Sequence, residues 1–207
     1  RKNNWLLQQK TGINHIPSND FSFYDQILDT IATFGAIPSR FKFTGNQVDL
    51  DTYFAMARGA QKDGLDVIAM EMTKFFDTNY HYIVAEFEEN QQFKLTSNKI
   101  IDQFNEAKEL GITTRPVLLG PISFLLLGKC KTGNVIDLLD NLLPAYQELL
   151  GKLQQAGVKD LQIDEPFLIT DLDDKILSKY QLTFKTLKQA AGNIKIHLAT
   201  YFEGLGN

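Results

Sequence analysis

Residues 71–82 read Glu-Met-Thr-Lys-Phe-Phe-Asp-Thr-Asn-Tyr-His-Tyr, setting an acid, a base, an amide and an imidazole among aromatic rings without a glycine or proline. Apolar bodies beneath polar heads are what a ligand-facing pocket wall requires. Lys74 offers a fixed cation for an anionic group, most simply a carboxylate. The alternative is a lysine whose stem lies over the aromatics and whose head pairs with Glu71 or Asp77. Asn79 either hydrogen-bonds a ligand or caps a turn. His81, between two tyrosines, reads as a hydrogen-bonded packing residue, and so do His15 and His197 in apolar runs. No Ser/His/Asp or Cys/His set for nucleophilic catalysis is legible.

Asp164-Glu165-Pro166 is the second concentration of chemistry. Two adjacent carboxylates at a strand tip could do acid–base work or bind a cation, or could cap a neighbouring loop by accepting backbone N–H bonds. Successive strand residues point to opposite faces, so at most one would face a common axis. Gly120-Pro121 reads as a tight strand exit, or as a place where a backbone or ligand comes close. Cys130 lies between Lys129 and Lys131; flanking cations can lower a thiol pKa, but a free thiol without a role is the simpler reading.

The elements that must position these groups alternate. Short apolar runs at 13–17, 67–72, 115–119, 161–164 and 195–201 read as buried parallel strands. Amphipathic patterns at 23–34, 49–58, 99–110, 134–156 and 174–191 read as helices, each followed by a glycine. Residues 63–66 and 86–92 are the most loop-like. Repeated helix–glycine–strand joints predict an α/β protein, either doubly wound or part of a (β/α)8 barrel. No GxGxxG supports the first. Polar residues just after the strands, at 18–20, 74–79 and 164–165, follow the barrel habit of placing function at the C-terminal strand ends. The length is short for a complete barrel, so an incomplete (β/α)8 TIM-type barrel is expected.

The composition is that of an ordinary globular protein, 43% hydrophobic and 22% charged, with a net charge of −4. Dispersed bases without a basic face argue against a duplex nucleic-acid partner. One cysteine excludes an internal disulfide and fits a reducing compartment. It also excludes a multi-cysteine zinc site within these residues. No apolar run reaches the roughly 18 residues of a membrane span, so no membrane partner is expected. The chain opens on Arg1 and mid-pattern at Trp5-Leu6-Leu7, which suggests a piece of a longer polypeptide.

Several segments taken together resemble the N-terminal half of the cobalamin-independent methionine synthases. They are Ile16-Pro17-Ser18-Asn19-Asp20-Phe21, Tyr24-Asp25-Gln26, Ala55-Met56-Ala57-Arg58-Gly59, residues 71–82, residues 116–121, Leu127-Gly128-Lys129, residues 162–166 and residues 200–204. They span nearly the whole chain in the family's order. The resemblance implies two (β/α)8 barrels, of which residues 1–207 form part of the first. It implies a cytoplasmic methyltransferase of methionine biosynthesis, moving a methyl group from 5-methyltetrahydropteroyl polyglutamate to homocysteine. Zinc in the C-terminal barrel of the same polypeptide would bind homocysteine as a thiolate. Lys74 and Asn79 match positions that touch the polyglutamyl folate, and no catalytic residue is expected among these residues. The family's first strand, with its Phe-Pro-Arg segment and Arg-Glu-Leu-Lys folate-binding run, has no match. The positions matching a His-x-Cys zinc pair read as Leu198 and Thr200, neither a normal ligand. These 207 residues alone are expected not to turn over. The alternative is a stand-alone, non-catalytic folate-binding or scaffold module; a different (β/α)8 enzyme using Asp164 or Glu165 is a third reading.

Overall fold

The computed structural model describes residues 1–62 and 64–204. In chain order the elements are α1 (Lys2–Lys10), β1 (Pro17–Ser18), α2 (Gln26–Phe34), α3 (Leu50–Arg58), β2 (Ala60–Lys62), β3 (Leu65–Val67), β4 (Met72–Lys74), β5 (His81–Ile83) and β6 (Glu86–Phe87). They continue with α4 (Lys99–Glu109), β7 (Arg115–Leu119), α5 (Pro121–Leu126), β8 (Lys129–Cys130), α6 (Leu139–Ala156), β9 (Asp160–Asp164), α7 (Asp174–Ala191) and β10 (Lys195–Ala199). The chain is mixed α/β and divides into two compact units, each discontinuous in sequence.

One unit comprises Arg1–Phe21, Asn98–Ser123 and the residues from Tyr146 onward. Its centre is an open parallel sheet in the order β1-β7-β9-β10. Leu118, Leu161 and Ile163 of this sheet are buried, as parallel strands covered by helices must be. Trp5 of α1 is buried with Ile16, Ala107 and Ile112, and its indole N–H donates to the Pro17 carbonyl at 2.9 Å. Tyr146 is buried and donates to the Leu119 carbonyl at 2.7 Å.

The other unit comprises Ser22–Ser97 and Phe124–Ala145. Its strands pair two by two: β2 with β3 and β4 with β5 antiparallel, β6 with β8 parallel. Helix α2 buries Ile27, Leu28, Ile31 and Phe34. Each such side chain contributes about 1.5–3 kcal/mol on burial. The helix stops at Gly35, whose φ of 66° is left-handed.

Long helices and the 115–119, 160–164 and 195–199 strands follow the sequence pattern closely. The region between α3 and α4 does not. No strand runs over 67–72: Val67 ends β3, residues 68–71 form no strand, and Met72 begins β4. The physical reason is Gly64, at φ 78°, which turns the chain back so that residues 60–62 pair with 65–67. Of the strand expected at 13–17 only Pro17 lies in a strand, β1, and residues 13–16 form none. Of the loop expected at 63–66, residue 63 lies outside the described residues, and Leu65 and Asp66 belong to β3. Glu86 and Phe87, read as loop, pair with Lys129 and Cys130. Helices α1 and α5 were not legible. Among the described residues, no helix is long and apolar enough to cross a membrane.

Candidate functional site

The 72–83 segment is an antiparallel hairpin whose register sets Met72 opposite Ile83, Thr73 opposite Tyr82 and Lys74 opposite His81. Directly opposed residues share a face, so Lys74 and His81 lie side by side, and both are exposed. The connecting turn is held from within. Phe75 N–H donates to the Tyr80 carbonyl at 2.7 Å, and the Thr78 hydroxyl donates to the Phe75 carbonyl at 2.7 Å. The Thr78 hydroxyl also accepts from Tyr80 N–H at 3.1 Å. Phe75, only 4% exposed, is the apolar anchor, with edge-to-face contacts to Phe76, Tyr80 and Tyr82.

Polar heads are thereby turned outward, with Phe75 and Tyr82 buried beneath them. Lys74 is exposed, and among the described residues its ammonium has no ion-pair or hydrogen-bond partner. Glu71, one of its two expected partners, is engaged instead by Lys129. Asp77 is exposed and does not pair with Lys74. Asn79 is exposed; its carbonyl meets His81 Nδ1 at 2.9 Å, while its side-chain amide is uncommitted among the described residues. The structure therefore brings Lys74, Asn79 and His81 onto one hairpin and leaves the Lys74 ammonium and the Asn79 side-chain amide exposed.

The hairpin is tied down by a residue that the sequence flagged only as part of a family-like segment. Asp25 is buried at the N-terminus of α2. Its Oδ1 accepts from the Ile27 and Leu28 N–H groups, both at 2.8 Å, and its Oδ2 accepts from the Ile83 N–H at 2.9 Å. Burial pushes its carboxyl up to about 6 against the pull of these donors. Tyr82, whose hydroxyl donates to the Leu127 carbonyl at 3.0 Å, fixes the other side of β5, and burial pushes its phenol up to about 12. No signal within residues 71–82 could have found Asp25, because the link spans 58 positions.

Asp164 and Glu165 are both buried and do not form a paired catalytic set. Asp164 accepts from Gln162 Nε2 at 2.8 Å, and burial raises its pKa. Glu165 accepts from the Ile122 and Ser123 N–H groups at 3.2 and 2.8 Å and from the Tyr180 hydroxyl at 3.2 Å. It is a cap on the first turn of α5, the structural alternative at this motif. Gly120 is the close-approach glycine, since a Cβ there would overlap the Glu165 carboxyl. His197 Nε2 donates to the Asp160 carboxylate at 2.7 Å, and this bond holds the Asp160 carboxyl below its usual range. His15, in contrast to its expected burial, is exposed.

Cys130 is half-buried and unpaired. It lines a pocket of about 200 Å³ with Arg40, Glu86, Lys129 and Lys131. There Arg40 and Glu86 neutralise one another through a bidentate pair at 2.6 and 3.0 Å. Among the described residues, no group of three or more His, Cys, Asp or Glu side chains is arranged to hold a metal ion.

Comparison with known proteins places this geometry in a family. A family model described as "Cobalamin-independent synthase, N-terminal domain" matches residues 1–207. A Salinibacter ruber protein named 5-methyltetrahydropteroyltriglutamate–homocysteine methyltransferase is 52% identical over 99% of this chain. Proteins of the same name from Flavobacterium johnsoniae and Parvibaculum lavamentivorans are 53% and 52% identical over 100% and 99% of it. The chain spans 27% of the length of each of these relatives. With its whole length matched by the domain model, the chain belongs to the cobalamin-independent synthase family, in the family's N-terminal domain.

Proposed function

We propose that this chain is part of the N-terminal (β/α)8 barrel of a methyltransferase that moves the methyl group of 5-methyltetrahydropteroyl polyglutamate to homocysteine, giving methionine. The observation that carries the reading is the match of the N-terminal domain model across all 207 residues. The name shared by the relatives supplies the substrates. The barrel is supported by a parallel sheet whose strands follow one another in chain order with helices between them. A cytoplasmic setting is supported by the single free thiol.

In this reading Lys74 and Asn79 bind the polyglutamyl tail. A glutamate tail is a row of carboxylates, and an exposed ammonium with no internal acid is the complementary group. The rigid aromatic base lets the hairpin meet the tail without first ordering itself. Neither residue touches the reacting atoms. Zinc, held by the C-terminal barrel of the same polypeptide, would keep the homocysteine thiol deprotonated for attack on the methyl carbon. The described residues offer it no ligand set, so no step is routed through them.

The test is steady-state kinetics on the full-length native polypeptide. Lys74→Ala is expected to raise KM for the triglutamate about tenfold, a loss of about 1.4 kcal/mol, with kcat little changed. Asn79→Ala is expected to act in the same direction and less. The isolated chain with zinc, homocysteine and methylfolate should form no methionine. Unchanged KM in Lys74→Ala would remove the hairpin from the binding site, and turnover by the isolated chain would move the chemistry into it.

A further inference from the structure

We infer that Asp25 is the positioning residue of the ligand-facing hairpin: its ionised carboxylate pins β5 to the first turn of α2, and ligand affinity falls when that carboxylate is protonated. The pinning stands on geometry alone, whereas the affinity part rests on the folate-polyglutamate reading above.

A hairpin of two three-residue strands does not hold its own shape in water. Its turn is fixed by Phe75 and Thr78, but its base needs outside partners. Asp25 supplies one with a division of labour between its oxygens. Oδ1 caps α2 through Ile27 and Leu28, and Oδ2 alone reaches across to Ile83. An ordinary N-cap needs only the first of these. The second places a buried charge beneath the hairpin that carries Lys74 and Asn79.

Oδ1 accepts two N–H bonds and Oδ2 one, so of the carboxylate's roughly four lone-pair sites the free one lies on Oδ2. A proton there leaves both cap bonds on Oδ1 in place and removes the negative charge that strengthens the bond from the Ile83 N–H. The least disruptive protonated state is therefore the one that loosens β5. The titratable groups facing Asp25 are Asp29 from α2, Tyr53 from α3, and Tyr80 and Tyr82 from the hairpin. None is a cation, and the charge of Asp29 favours proton uptake by Asp25. Burial already lifts the carboxyl to about 6, so the loosening falls in an accessible range.

The experiment uses the full-length native polypeptide and two variants. Asp25→Asn keeps an oxygen for the cap but turns an amide donor toward the Ile83 N–H. Asp25→Ser keeps a cap but is too short to span to β5. Amide hydrogen exchange is read at residues 72–83, with α7 as the internal reference. In both variants hairpin protection should fall about tenfold or more while α7 keeps its own. Binding of 5-methyltetrahydropteroyl triglutamate is then titrated against pH. Wild-type affinity should weaken about tenfold between about pH 7.5 and pH 5, while Asp25→Asn binds weakly with a flat profile. Unchanged hairpin protection in the variants overturns the proposal, and so does loss of α7 protection together with the hairpin, which would make Asp25 a general fold determinant. A triglutamate affinity that Lys74→Ala leaves untouched would remove the folate reading instead; the exchange data would still decide the role of Asp25.

Discussion

Asp25 and Glu165 are the same device used in two regions with different consequences. Each is a buried carboxylate at the first turn of a helix, accepting backbone N–H bonds, with burial raising its pKa. Glu165 closes on its own surroundings: two amides of α5, the Tyr180 hydroxyl and the space left by Gly120. Asp25 spends one oxygen on its helix and the other on β5, whose partner strand β4 carries the uncommitted Lys74. A buried acid by itself marks a structural junction. What lies on the far side of its bonds decides whether the junction serves a ligand.

The contrast breaks most visibly at Gly120. Gly120→Ala should push the Glu165 carboxyl off the α5 amides and destabilise the fold by about 3 kcal/mol, read from the urea midpoint. An unchanged midpoint would show that Glu165 is not held where the geometry places it. Next comes the pH dependence. The Glu165 carboxyl is pushed up to about 7 from 4.5, so between those values the folded state binds more protons than the unfolded one. Its contribution is fully present below pH 4.5 and is lost as pH rises through about 7. At about 1.36 kcal/mol per pH unit this is on the order of 3 kcal/mol. Glu165→Gln should remove that slope in urea titrations across the window. For Asp25 the window runs from 3.8 to about 6, so Asp25→Asn should leave the slope above about pH 6 in place. A slope lost there too would merge the two junctions. The smallest effect sharpens the comparison: Lys74→Ala should change stability by less than about 0.5 kcal/mol in the same assay, because its head contacts nothing described.

Much of this was legible where one face of an element is buried over several turns or residues. Helix α7 and strand β7 follow the pattern residue for residue, since apolar stripes and following glycines fix both their period and their ends. The strand bounds between residues 60 and 87 were not legible, and one strand was read over 67–72 where two others end and begin, because two- and three-residue strands give alternation too little length. Helix α1 was missed because only Trp5 of it is buried. At the candidate site, Lys74 and Asn79 were legible as residue types in an aromatic setting. That Lys74 lacks its expected acid was not, since Glu71 is taken by Lys129, 58 positions away. Asp25 hid for the same reason: a side chain caps the helix it precedes, and nothing local announces its second bond.

The central claim is that the 72–83 hairpin reads the polyglutamate tail. The most direct measurement compares the Kd of 5-methyltetrahydropteroyl monoglutamate and triglutamate for full-length wild-type and Lys74→Ala polypeptides. The wild type should prefer the triglutamate, and Lys74→Ala should lose about tenfold of that preference while binding the monoglutamate nearly as before. A Lys74→Ala variant that keeps the full preference would contradict the account.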